Sequence, residues 1–119
     1  YRELGRMLDA ASPPTAVLCS SMIMAMGARR AIEERGLRLG SDVSIVTHDD
    51  NLSYLRNGGD VPIFTALRSS VRYAGREAAD MLLSLIAEPR NAALSRLLEA
   101  DLIIGRSTGP APTCRTPPC

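Results

Sequence analysis

The sequence has no lysine and no tryptophan, one phenylalanine and three tyrosines. Without a lysine amine, Schiff-base chemistry and phosphate loops of the P-loop type are excluded. The same absence excludes phospho-acceptor sites that pair aspartates and magnesium with a lysine. An aromatic content of 3% is too low to build platforms for stacking bases. A net charge of +1 gives no bulk attraction to nucleic acid or an acidic membrane. No apolar run approaches the ~20 residues of a membrane span. The chain has no initiator methionine. Tyr1 opens directly into a helical pattern, without a signal-type leader, so a fragment or processed product is expected. Three cysteines without framework spacing predict a reducing compartment. Cys114 and Cys119 have no nearby histidine or further cysteine, so no metal site is expected there.

What is present suits one small globular domain: 119 residues, 45% apolar and 23% charged. Leu4, Met7, Leu8 and Ala11 recur at helical spacing, and Pro13-Pro14 ends that helix. The unbroken run Ala16-Val17-Leu18-Cys19 predicts a strand buried on both faces. Ser20-Ser21 then offers capping hydroxyls for a helix through Arg35. Gly36 sits where a left-handed residue closes a helix, with Leu37 as its apolar partner. Gly40-Ser41-Asp42 turns the chain into a second strand, Val43 to Thr47. Strand, helix and strand in this order form a βαβ unit, so the fold class is α/β with a parallel sheet. Residues 51–60 read as a polar loop, and Ile63 to Leu67 as a short extended segment. Ser69 or Ser70 caps a second helix with Val71, Ala74, Ala78, Met81, Leu82, Leu85 and Ile86 on its apolar face, and Pro89 stops it. Leu97 to Ile104 reads as a last strand. Gly105 to Cys119, rich in Pro, Thr and Ser, predicts a disordered tail.

Open parallel sheets bind ligands outside the carboxyl ends of their strands, which points to His48-Asp49-Asp50. Two carboxylates there accept hydrogen bonds from sugar hydroxyls or hold a cation. The plainer alternative is that one aspartate caps the turn and the other is solvated. Cys19-Ser20-Ser21 ends the neighbouring strand and faces the same crevice, with ordinary helix capping as its alternative. Cys19 and His48 could pair as thiolate and imidazole, which would make the protein an enzyme. A Ser20–His48–Asp49 relay is disfavoured, because consecutive residues of an extended chain point to opposite faces. Ala25, Ala28 and Ile32 make a core stripe on the first long helix. Met22, Met26, Arg29 and Glu33 make a second stripe, suited to a subunit interface or to packing under a loop.

The order and spacing of several short blocks resemble the LacI family of bacterial transcription regulators. They are Pro14 to Ser21, Met24 to Ala28, Glu34-Arg35-Gly36-Leu37, Asp42 to Asp50, Pro62 to Thr65, Ala74-Gly75 and Leu102 to Thr108. The resemblance implies a periplasmic-binding-protein-like effector domain, in which two α/β lobes close over a small molecule such as a sugar. It implies an incomplete lobe here, with residues 1–109 as the C-terminal part of that domain and 110–119 as tail. It places Asp49 where family members hydrogen-bond effector hydroxyls. Ser21 stands where an asparagine is usual, and Met22 replaces the aspartate that follows. Val71 stands where some members set an aromatic ring, and His48 replaces a common aromatic residue. By the same resemblance Met22, Met26 and Arg29, with Tyr54 and Leu55, belong to a homodimer interface. The implied protein is a cytoplasmic regulator with no cofactor. It would contact operator DNA through an N-terminal domain absent here. Two other classes stay open: an extracytoplasmic sugar-binding protein of a transporter, which shares the fold, and the Cys19–His48 enzyme. The Ser69–Glu88 helix is expected to lack the lobe that covers its apolar face, and so to pack differently or against a second copy.

Overall fold

A computed structural model describes residues 1–51, 56–88 and 95–111. The elements run α1 (Arg2–Leu8), β1 (Ala16–Cys19), α2 (Met22–Glu33), β2 (Ser44–Asp49), β3 (Thr65–Arg68), α3 (Val71–Ala87) and β4 (Asp101–Ile103). The four strands form one sheet in the order β1-β2-β3-β4. β1, β2 and β3 are parallel, and β4 is antiparallel to β3.

α2 forms because Ser21 takes an extended conformation and its hydroxyl accepts from the Met24 amide. It ends as predicted: Gly36 has φ +70°, and the Leu37 and Gly36 amides donate to the Ile32 and Glu33 carbonyls. Its buried face is Met22, Ala25, Ala28, Ala31 and Ile32. The three alanines let α2 lie close to the sheet on one side and to α1 on the other. α1 contributes Leu4 and Leu8 to a core shared with Cys19, Val43, Ile45 and Phe64. Full burial of an Ile32 or Ile45 side chain contributes about 1.5–3 kcal/mol each.

The core lies on one face of the sheet only. β1 is an edge strand with α2 on a single side, so Leu18 on the other face is 76% exposed. The expectation of a strand buried on both faces fails for that reason. Exposed Leu67 and Leu102 continue the same uncovered face, as cross-strand partners. α3 is capped by Ser70, which accepts from the Tyr73 amide, but none of its residues is buried.

Gly105 to Gly109 is no tail. Ser107 is fully buried; its hydroxyl donates to the Ile45 carbonyl and accepts from the Thr65 amide at 2.9 Å. The Ile45 amide donates to the Ser107 carbonyl at 2.8 Å. Thr108 Oγ1 meets Thr65 Oγ1 at 2.7 Å, and the Gly109 amide donates to Ser44 Oγ at 3.3 Å. Composition predicted disorder because serine, threonine and glycine are frequent there. Those same small polar groups are what pack between strands and satisfy buried backbone. The polar loop also differs: Asn57 is buried, donating to the Phe64 carbonyl at 2.6 Å and accepting from its amide at 2.8 Å. The last strand is shorter than Leu97–Ile104, covering only Asp101–Ile103.

Candidate ligand site at the strand ends

β2 extends past Thr47 to include His48 and Asp49, and its side chains alternate between the two faces. Ile45, Thr47 and Asp49 face α2 and are buried, while Ser44, Val46 and His48 are half-buried on the other face. Asp49 is only 3% exposed. Its Oδ1 accepts from the Asn51 amide at 3.0 Å, an Asx-type turn that carries Asn51 into a left-handed conformation at φ 54°. Its Oδ2 accepts from Arg68 Nε at 3.1 Å and lies 3.1 Å from Nη2 of the same guanidinium. Arg68 ends β3 and is the register partner of Asp49. The capping role weighed for the acidic pair thus falls to Asp49, whose other oxygen is paired with Arg68.

His48 builds a second arrangement on the opposite face. Its Nδ1 lies 2.8 Å from Asp50 Oδ1, and its Nε2 lies 2.9 Å from Ser69 Oγ. The Ser69 amide donates to the Asp49 carbonyl at 3.1 Å. These bonds clasp the end of β2 to the short link between β3 and α3. The two carboxylates turn to different partners, Asp49 to Arg68 and Asp50 to His48. Among the described residues no group of three or more His, Cys, Asp or Glu side chains converges as a metal site.

The Cys19–His48 pair does not form. Cys19 is in register with Thr47, which places it on the α2 face, while His48 points the other way. Burial also pushes the Cys19 thiol pKa up, against the thiolate that nucleophilic chemistry needs. Ser21 caps α2, with Met24 N at 3.4 Å from its Oγ. A hydroxyl that accepts there keeps its own proton for a ligand. Ser20 Oγ meets Met24 Sδ at 3.2 Å. Val71 is the first residue of α3 and is half-exposed.

The proposed interface stripe divides. Met22 is 6% exposed and belongs to the core, because it lies one helical turn before Ala25 on the buried face. Met26, 51% exposed, remains outward, and Arg29 pairs with Glu33 at 2.7 Å. Tyr54 and Leu55 lie outside the described residues. Sequence reasoning missed Arg68 and weighed Ser69 only as a helix cap, a role that Ser70 takes. Ending the third extended segment at Leu67 put Arg68 in a loop; only the pairing with β2 sets its side chain beside Asp49.

A concavity of about 410 Å³ lies between α1 and Arg35, at the far end of α2 from Ser21. It is organised by the Arg35–Asp9 ion pair at 2.6 Å and takes no part in the strand-end cluster. No helix among the described residues is long and apolar enough to cross a membrane.

Residues 1–108 match the periplasmic binding protein-like domain. The chain is 45% identical over 113 residues to the HTH-type transcriptional regulator AglR of Rhizobium meliloti, covering 94% of this chain and 32% of that protein. It is 34% identical over 116 residues to the lactose operon repressor of Escherichia coli, covering 98% of this chain and 31% of the repressor. The chain thus spans about a third of the length of these relatives. Among solved structures, a LacI family transcriptional regulator from Bifidobacterium animalis superposes with a TM-score of 0.77 at 28% identity, covering 93% of this chain and 40% of that one. The dimeric Lac repressor with an 11-residue C-terminal deletion gives 0.71 at 31% identity, covering 91% and 38%.

Proposed function

Because this chain belongs to the periplasmic binding protein-like domain family, in the form carried by LacI-family transcription regulators, we propose that it is the C-terminal part of the effector-binding domain of such a regulator. In this reading Asp49 hydrogen-bonds a small polar effector of the sugar kind. Ser21 offers a hydroxyl from the neighbouring strand end, and Val71 gives an apolar contact without a ring. The outward face of α2, through Met26 and Arg29 seated on buried Met22, meets a second subunit together with Tyr54 and Leu55. The whole regulator is cytoplasmic and contacts operator DNA through a separate N-terminal domain.

The observation that carries this reading is the buried Asp49 carboxylate at the carboxyl end of a central parallel strand. That edge is where open parallel sheets receive ligands. A carboxylate fixed through one oxygen by a backbone amide is preoriented, so little ordering is lost when a hydroxyl donates to the other. Effector binding would favour one arrangement of the lobes, and operator affinity would shift by the difference in effector affinity between arrangements. Couplings of this type are typically about 1–3 kcal/mol.

The test uses the intact regulator and calorimetric titration with glucose, galactose and mannose. Asp49→Ala is expected to weaken the sugar that binds at least tenfold, about 1.4 kcal/mol, while operator affinity stays within twofold. Unchanged sugar affinity in the variant would overturn the assignment.

A further inference from the structure

The register of the sheet sets three charged residues in one row across three strands. Asp49 on β2 pairs with Arg68 on β3, and Arg68 pairs with Asp101 on β4. Cross-strand partners project from the same face, and neighbouring strands lie about 4.8 Å apart. Arg68 therefore stands between two carboxylates, both within reach of its long side chain. The structure places its fork on Asp49, through Nε and Nη2 at 3.1 Å each. The two carboxylates are unlike: Asp49 is buried, whereas Asp101 is exposed. A buried carboxylate needs a partner far more than an exposed one does. An empty site thus draws Arg68 onto Asp49.

We infer that Arg68 is a positioning residue with two stations, resting on Asp49 when the site is empty and moving to Asp101 when a ligand hydroxyl takes Asp49. The inference rests on Asp49 being the ligand contact. Arg68 Nε donates to Oδ2 with Nη2 3.1 Å from the same oxygen, while Oδ1 accepts from Asn51. Because the carboxylate is almost fully buried and Arg68 covers Oδ2, a ligand hydroxyl reaches that oxygen by displacing Arg68. Once displaced, a guanidinium that is 33% exposed must either be solvated or find another carboxylate. Asp101 is the acceptor that the register supplies. Asp101 thereby lowers the cost of vacating Asp49 without touching the ligand, and Arg68 becomes part of the site's selectivity. A ligand has to compete with a guanidinium fork, so a single weak donor does not enter.

The first experiment needs no ligand. In the 119-residue chain the Arg68 Nε–Hε resonance is followed by ¹⁵N NMR, with its hydrogen-exchange rate as the measure of ion pairing. Asp49→Asn should leave the exchange slow, because Arg68 moves to Asp101; the double variant Asp49→Asn/Asp101→Asn should exchange at least fivefold faster. Fast exchange in Asp49→Asn alone would overturn the second station. The second experiment titrates the intact regulator with glucose, galactose and mannose. Asp101→Asn should weaken the sugar that binds by about fivefold, Asp101→Glu should restore it, and the effect should vanish in an Arg68→Gln background. An Asp101 effect that persists without Arg68 would overturn the coupling. If Asp49→Asn binds sugar like the wild type, or no sugar binds at all, the proposed Asp49 contact fails, while the ligand-free measurement still decides where Arg68 rests.

Discussion

Single residues in this protein act chiefly by satisfying backbone groups that the sheet would otherwise bury unpaired. Ser107 is the strongest case, with one hydroxyl serving both the Ile45 carbonyl and the Thr65 amide. Ser107→Ala is expected to lower unfolding stability by about 1–3 kcal/mol, the cost of a buried polar group left without its partner. A lower urea midpoint at unchanged m-value would register it; an unchanged midpoint would contradict the role. Asp42 acts differently, at the surface. Its carboxylate accepts from the Arg38 guanidinium and backbone amide, which lower its pKa from 3.8 to about 2. A depressed carboxylate stabilises the fold above its unfolded pKa, and that contribution is lost as pH falls from about 4 to about 2. Asp9, beside Arg35, and Glu34, hydrogen-bonded by Tyr1 and Arg30, shift in the same direction. Asp42→Asn should therefore flatten the acid limb of the stability curve in that window. An unaltered limb in acid titrations followed by circular dichroism would exclude Asp42 as a contributor.

At the scale of elements, α2 was legible because its signals are local. Ser21 before it, alanines on one stripe and Gly36 after it are all read within a few residues, and each behaves as its chemistry requires. Gly36→Ala forces a Cβ into the left-handed region. It should cost about 1–2 kcal/mol, measured as a drop in thermal midpoint, although the space around Gly36 is open. Equal stability would mean that the closing turn relaxes to another conformation. β1 and the segment from Gly105 to Gly109 were misread because composition cannot say what covers a face. An apolar run of four residues fits a strand covered on one face or on both, and only the packing of α2 on a single side leaves Leu18 exposed. A glycine- and serine-containing stretch fits a solvated tail or an inserted one, and only the bonds to Ile45 and Thr65 decide for insertion.

At the scale of the whole molecule, the feature that dominates is what stays uncovered. α3 has an apolar stripe at helical spacing but no buried residue, and Leu82, Leu83 and Ile86 are among the exposed large apolar side chains. Leu18, Leu67 and Leu102 leave the second sheet face open as well. Apolar patches of this kind associate when nothing else covers them. The chain on its own should show a weight-average mass that rises with concentration in sedimentation, and Leu82→Glu with Ile86→Glu should return it toward a monomer. A monomer at all concentrations in the unaltered chain would contradict this.

The sequence by itself determined the βαβ order, the cap and closing glycine of α2, and the placing of an acidic strand end at the carboxyl edge of the parallel strands. All of these follow from signals within one element or one turn. The tertiary structure alone decided that Cys19 and His48 face apart, that Met22 is core, and that Asp49 is held by Arg68. It also decided that Ser107 fills the sheet. The physical reason is distance along the chain: the Arg68 bond to Asp49 spans 19 residues and the Ser107 bond to Ile45 spans 62. Strand register, which no local pattern encodes, sets which side chains such long closures bring together.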